Sequence, residues 1–243
     1  WIGTSTEMHH IKEEEQRKGN FIKMVSHELK TPVTSIKGYV QTLLMMLDDK
    51  EEKVPPVQIK SSLIRIDKQI LNLTRLISEM LDLTRIEAGN LHLKMEIFDL
   101  NNLLIEIRDD ILVSQPKYDI ELNHDCSASI FADRDRIGQV LINFINNGIK
   151  YSPKSNKIEI RIFKSDGDTV SVCVKDFGIG ISKNDQQKIF ERFYRVDGKN
   201  EETFSGFIAS TIIEKHQGTI LINSEMGKGS EFIFTLNIAQ KNS

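Results

Sequence analysis

Apolar residues recur at Ile22, Val25, Leu29, Val33, Ile36, Val40, Leu43 and Leu47, in steps of three and four. That spacing predicts a helix with one apolar stripe. The charged run "DDKEEKVPP" follows, and its two prolines cannot continue a helix. A second stripe, Leu63, Ile66, Ile70, Leu73, Ile77 and Met80, alternates steps of three and four like a heptad seam. It closes at "EAGN", where Gly89 suits a C-terminal cap. Two such helices predict an antiparallel hairpin. One hairpin hides each stripe only partly, so residues 20–89 are expected to form a homodimer with a four-helix core.

The period then changes. "FDLNNLLIEIRDDI" reads as a short strand followed by a helix, and "DIELNHD", "KIEIRIFKS" and "TVSVCVKDF" alternate as strands do. "DRDRIGQVLINFINNGIKYS" and "FIASTIIEKHQG" are helical. "GTILINSEMGKGSEFIFTLNIA" reads as strand, Gly-rich turn, strand. Helices and strands mix without regular βαβ alternation, which predicts an α/β sandwich with helices on one face of a mixed sheet. The head, "WIGTSTEMHHIKEEEQRK", reads as a strand-like piece running into a charged helix.

The 243 residues suit two domains, and a net charge of −3 gives no basic field for nucleic acid. No apolar run reaches membrane-span length and no signal-peptide pattern is present. The chain is expected to be soluble, cytoplasmic and without membrane contact, with anchoring of a longer parent left open. Cys126 and Cys173, far apart, are expected to be reduced thiols.

"VSHELKTPVTS" puts His27, Glu28 and Pro32 inside the first helix. His27 lies about 200° round the helix from both Val25 and Leu29, so it should face solvent. A solvent-facing imidazole is largely neutral at pH 7 and can act as a nucleophile. Glu28 is suited to hold the proton on the other ring nitrogen. Pro32 removes the helical partner of the Glu28 carbonyl, which loosens the helix one turn after His27. The bland alternative is a solvated helix face with a proline kink.

In "QVLINFINNGIKYSP", Asn143, Asn147 and Lys150 share one helical face, opposite Ile137, Leu141, Phe144 and Gly148. Two amides and a cation suit Mg²⁺ and a triphosphate, because Mg²⁺ takes few protein oxygens. "VSVCVKDFGIGIS" ends a strand in Asp-Phe-Gly-Ile-Gly. There a carboxylate can accept an exocyclic amine while glycines let the backbone pass close. No Walker P-loop pattern is present.

The string "FIKMVSHELKTPVTSIKGYVQTLL" resembles the phosphoacceptor box of sensor histidine kinases, through Ser26, His27, Glu28, Leu29, Lys30, Thr31 and Pro32. The second half resembles that family's ATP-binding domain, a Bergerat-type α/β sandwich shared with gyrase-type and chaperone-type ATPases. The resemblance implies that His27 attacks the γ-phosphate of ATP, with Glu28 as general base. It implies that Thr31 positions water when the partner is dephosphorylated. It makes Asn143 and Asn147 the Mg²⁺ and phosphate ligands, with Lys150 and Tyr151 ending the same box. Gly148 stands where alanine is usual, and only a slight weakening of the helix is expected from it. Asp176 becomes the adenine-reading carboxylate, with Gly178 and Gly180 shaping the pocket. "KIFERFYRVDGKN" resembles the family's F box, with Phe190, Phe193 and Tyr194 as anchors. The implied partner is a response-regulator receiver domain.

One box departs from the pattern. A second glycine box is expected before the helix ending at His216, yet its four positions fall on Thr203 to Gly206, "TFSG". Either the segment is truly shortened, leaving a kinase with a crippled lid, or about five residues of a mobile lid are missing between Phe207 and Ile208. The matching flanks favour the second reading. Gly206 is the one glycine left to this box. "WIGTSTEMHH" resembles the closing strand of a PAS sensory domain. The expected organisation is therefore a PAS-like tail and linker helix (1–19), a dimerisation and phosphotransfer hairpin (20–89) and an ATP-binding domain (90–243). The rival readings are a degenerate-lid kinase acting as phosphatase or dimeric scaffold, a stand-alone ATPase and a binding-only hairpin.

Overall fold

The computed structural model describes residues 2–48, 55–165, 167–192 and 204–239; of residues 2–18, 20–22 and 24 it describes only the backbone. The chain divides into two units, 1–84 and 85–243.

The first unit is helical. Helix α1 spans Ile2–Asp48 and passes through Pro32. Helix α2 spans Pro56–Glu87 and opens on a proline, which is tolerated at a first helical position because its missing N–H would have no partner there. The strand-like reading of the head is corrected, because Ile2–His10 is helical. Its β-branched residues adjoin a long run of Glu, Lys, Gln and Arg, and extending an existing helix avoids a second nucleation. Beyond α2, Gly89 takes φ +68°, and the N–H groups of Gly89 and Asn90 donate to the Ile86 and Arg85 carbonyls. That is the expected left-handed cap.

The apolar residues of the two helices divide between two environments. Val25 and Leu43 of the first stripe and Leu76, next to the second, are buried, whereas Val33, Val40, Leu47, Leu63, Ile70 and Ile77 are exposed among the described residues.

The second unit begins with β1 (Met95–Asp99), α3 (Leu100–Ser114), β2 (Asp119–His124), β3 (Ser129–Asp133) and α4 (Arg134–Tyr151). Strands β4 (Lys157–Lys164) and β5 (Thr169–Asp176) follow. Next come α5 (Lys183–Gln186), a 3-10 turn (Lys188–Phe190), α6 (Ser205–Lys215), β6 (Thr219–Glu225) and β7 (Gly229–Asn237). The main sheet has order β2-β4-β5-β7-β6, and β1 and β3 form a separate ribbon. Only the β2–β4 pair is parallel, so the sheet is mixed as expected. Ile137, Leu141 and Phe144 of α4 are at most 1% exposed, and Phe144 stacks on Phe232 of β7 at 5.0 Å.

Asp133 ties this layer together. Its carboxylate accepts from the Arg136 N–H as the N-cap of α4 and from the Lys94 N–H. Its own N–H donates to Nε2 of buried His216, whose Nδ1 meets the Ile212 carbonyl at 2.7 Å. His216 therefore carries its proton on Nδ1, and it locks the end of α6 to the start of α4.

Candidate active site

The His27 side chain is 79% exposed, as its helical position predicts, and that of Glu28 only 19%. Nδ1 of His27 lies 3.6 Å from Oε1 of Glu28. That is too long for a hydrogen bond, yet one small rotation from it. The carboxylate thus sits on the Nδ1 side of the ring, which leaves Nε2 on the far side. The Thr31 hydroxyl donates to the His27 carbonyl at 3.1 Å, one turn along. His27, Glu28 and Thr31 are brought together within a single turn, and Pro32 is buried beside them.

The second unit carries a separate cluster of buried polar groups around Asp176. This carboxylate ends β5, is 5% exposed, and accepts from the Gly178 N–H at 2.8 Å. Burial pushes its pKa above the ordinary carboxylate value; the Gly178 N–H and the N–H and hydroxyl of Ser230 pull it back. The Ser152 hydroxyl also favours the charged form, but it is buried without a hydrogen bond of good geometry. An orphaned buried hydroxyl beside a buried carboxylate is the type of polar edge a heterocycle can complete.

Glycines let three backbone segments converge on this carboxylate. A Cβ on Gly178 would fall 2.2 Å from the Tyr151 carbonyl oxygen, and one on Gly180 (φ +70°) 2.1 Å from that of Glu225. The Tyr151 carbonyl accepts from the Ile179 N–H, so Tyr151 contributes through its backbone. The sequence reading missed Ser152, Ser230 and Gly229. Its signals were present in "KYSP" and "GKGS", the second of which it took only as a turn.

On α4, Asn143 and Asn147 lie side by side, with Nδ2 of Asn147 donating to Oδ1 of Asn143 at 3.0 Å. Nδ2 of Asn143 donates in turn to the Ser205 carbonyl at 2.9 Å, which fixes the start of α6. Lys150 is exposed, with Nζ 5.0 Å from the Tyr151 ring centroid. Gly148 does more than weaken α4: a Cβ there would lie 2.8 Å from Cδ1 of Ile158 and 3.2 Å from Cβ of Asp176.

Phe190 anchors edge-on to Phe232, and Arg192 pairs with Glu87. Phe193, Tyr194, Arg195 and Thr203 lie outside the described residues. The reading of a lid missing between Phe207 and Ile208 is corrected. The two residues are consecutive in α6, where the Ile208 N–H donates to the Phe204 carbonyl at 2.9 Å. Ser205, Ile208, Ala209, Ile212 and Ile213 are buried at helical spacing across that point. The shortened box is the state of this chain. Gly206 serves packing, since a Cβ there would lie 2.3 Å from the Ile189 carbonyl oxygen.

Two family models match the chain. The His Kinase A (phospho-acceptor) domain matches residues 17–89, and the histidine kinase-, DNA gyrase B- and HSP90-like ATPase matches residues 132–240. The Staphylococcus aureus sensor protein SrrB is 33% identical over 231 residues, covering 91% of this chain and 38% of SrrB. The chain therefore spans well under half the length of the curated relatives it matches. Among solved structures, Acinetobacter baumannii histidine kinase AdeS has TM-score 0.65 and 27% identity, covering 88% of this chain and 98% of that one. Histidine kinase ThkA, solved in complex with response regulator protein TrrA, has TM-score 0.63 and 26% identity, covering 96% and 67%.

Proposed function

This chain belongs to the sensor histidine kinases of two-component systems, and from that premise we propose that it transfers the γ-phosphoryl group of ATP to His27. The group then passes to an aspartate on a response-regulator receiver domain. The observation that carries this is the exposed His27 imidazole with a carboxylate on its Nδ1 side. The Nε2 lone pair attacks the γ-phosphorus, the bond to the ADP oxygen breaks, and Glu28 takes the Nδ1 proton. The attack would otherwise leave a cationic ring. The 3.6 Å separation has to tighten for that, as catalytic contacts do when substrate binds. Positioning and charge neutralisation supply most of such catalysis.

Asp176 accepts the exocyclic amine of adenine, between the turns made by Gly178, Gly180 and Gly229. Ser152 and Ser230 complete that edge. Asn147 suits Mg²⁺, because its Nδ2 is turned to Asn143 and its Oδ1 faces away. The Oδ1 of Asn143 is already engaged. Among the described residues no cluster of acidic, His or Cys side chains could hold a metal by itself. The ion would share its shell with phosphates and water and neutralise phosphate charge. Lys150 adds a point charge, and Thr31 orients water in the phosphatase step, in which the regulator's aspartyl phosphate is hydrolysed to aspartate and inorganic phosphate. The hairpin forms a homodimer through Val33, Val40, Leu47, Leu63, Ile70 and Ile77, and this core works in the cytoplasm.

Incubation with γ-labelled ATP tests the reading. Label on His27 that survives base and is lost in acid is expected; no label at saturating Mg·ATP would refute it. A second reading, a degenerate-lid phosphatase or scaffold, is favoured by the start of α6, where Asn143 is tied to Ser205 in place of an open glycine box. It requires that millimolar Mg·ATP leave the melting temperature unmoved, since any ligand of the folded state raises it.

A further inference from the structure

Asp176 is confined on three sides by glycines. Gly148 of α4 lies under its Cβ. Gly229 (φ +99°), at the start of β7, lies against its carbonyl, where a Cβ would come within 2.0 Å of the oxygen. Gly178 follows it in the chain and abuts the Tyr151 carbonyl. The floor is Ile158, the direct cross-strand partner of Asp176 and fully buried. The space a Gly148 methyl would need is thus already occupied by Cδ1 of Ile158, and a lesser part of it by Cβ of Asp176. We propose that Gly148 and Ile158 are a matched pair that sets the depth of Asp176 in the polar cluster, and that Gly148 is a positioning residue for base recognition. The proposal rests on the reading of Asp176 as the group that receives the adenine amine.

The mechanism is steric. With a methyl at 148, Cδ1 of fully buried Ile158 has to rotate aside and Cβ of Asp176 has to give by a few tenths of an ångström. Asp176 has little room to yield along its backbone, because Gly229 lies against its carbonyl. The carboxylate has to turn, or α4 has to lift off the sheet. Either movement misaligns the one acceptor that distinguishes a purine carrying a 6-amine from one without it. Shortening Ile158 to valine removes Cδ1, the nearer of the two obstacles, and lets the methyl in.

The test uses the full chain and compares binding of Mg·ATP with that of purine riboside triphosphate, which lacks the amine. Wild type should prefer ATP. Gly148→Ala should weaken ATP about tenfold while changing the amine-free nucleotide by less than about twofold. Gly148→Ala/Ile158→Val should recover most of the preference, and Ile158→Val alone should keep it. A purely structural defect would weaken both nucleotides together, and that result overturns the proposal. So does a folded Gly148→Ala variant whose preference is intact. If Gly148→Ala does not fold, the double variant decides: a folded double variant with restored preference supports the pairing, and an unfolded or indifferent one overturns it. A wild type without preference for ATP would refute the role of Asp176 itself, which is a different failure from loss of the Gly148 effect alone.

Discussion

The two units solve the problem of burial differently. The α/β unit closes on itself: Phe144, Phe234, Ile158, Ile160 and Ile162 are at most 1% exposed. The hairpin does not. Leu44, Leu47, Leu63 and Leu71 are each more than half exposed. Large apolar areas are rarely left open on monomeric proteins, and on the reading proposed above these residues lie in the dimer interface. A domain that grips a nucleotide gains from a finished core. On the proposed reading, a stalk that presents a histidine gains its remaining burial from a second copy.

The sharpest way to break that contrast is at His27. His27→Ala should abolish acid-labile labelling completely and leave ATP binding unchanged; loss of both would mean that the units do not work separately. Next in size is the apolar face. Ile70→Glu should weaken dimerisation by roughly a hundredfold or more, because a charge would be buried without a partner. Sedimentation analysis reads this, and the nucleotide-dependent melting shift should survive.

Asp176→Asn should weaken ATP by roughly thirtyfold, the scale of one lost charged hydrogen bond, while the dimer persists. Its pH behaviour carries a definite sign. The folded carboxyl titrates above its ordinary value of 3.8, so folding favours the protonated form. The stability this lends is present at low pH and lost as pH rises through the folded value. Without nucleotide, wild type should therefore lose melting temperature relative to Asp176→Asn as pH is raised from below 3.8 to neutrality. A constant difference would contradict that assignment. Thr31→Ala should lower phosphatase activity several-fold and spare labelling of His27; equal loss of both would remove the special role of Thr31. The smallest effect is at Cys173, whose buried thiol is pushed up to about 11. It should stay unmodified by thiol reagents at pH 7 while the protein is folded.

Much of this was legible beforehand because it is periodic or local. Steps of three and four gave both hairpin helices, alternation gave β2, β4 and β5, and a residue's angle on its helix sufficed to put His27 in water. Short elements were less visible. Strand β3 is five residues long, has no partner near in sequence and pairs with β1 more than thirty positions earlier. The head misled for the opposite reason: its β-branched residues suggested a strand, whereas helix propagation from the charged segment governs it. Ser152, Ser230 and Gly229 escaped because each matters only through a neighbour far along the chain.

By itself the sequence determined both hairpin helices and most strands of the main sheet, that His27 faces solvent with Glu28 next to it, and that Asp176 ends a strand followed by glycines. Each of these follows from side-chain period and backbone preference within a few residues. Only the tertiary structure decided that Gly148 faces Ile158 and Asp176, and that Asn143 is tied to Ser205. Those are questions of which atoms exclude one another across a packed sheet, and close packing is a property of the assembled fold that no local pattern encodes.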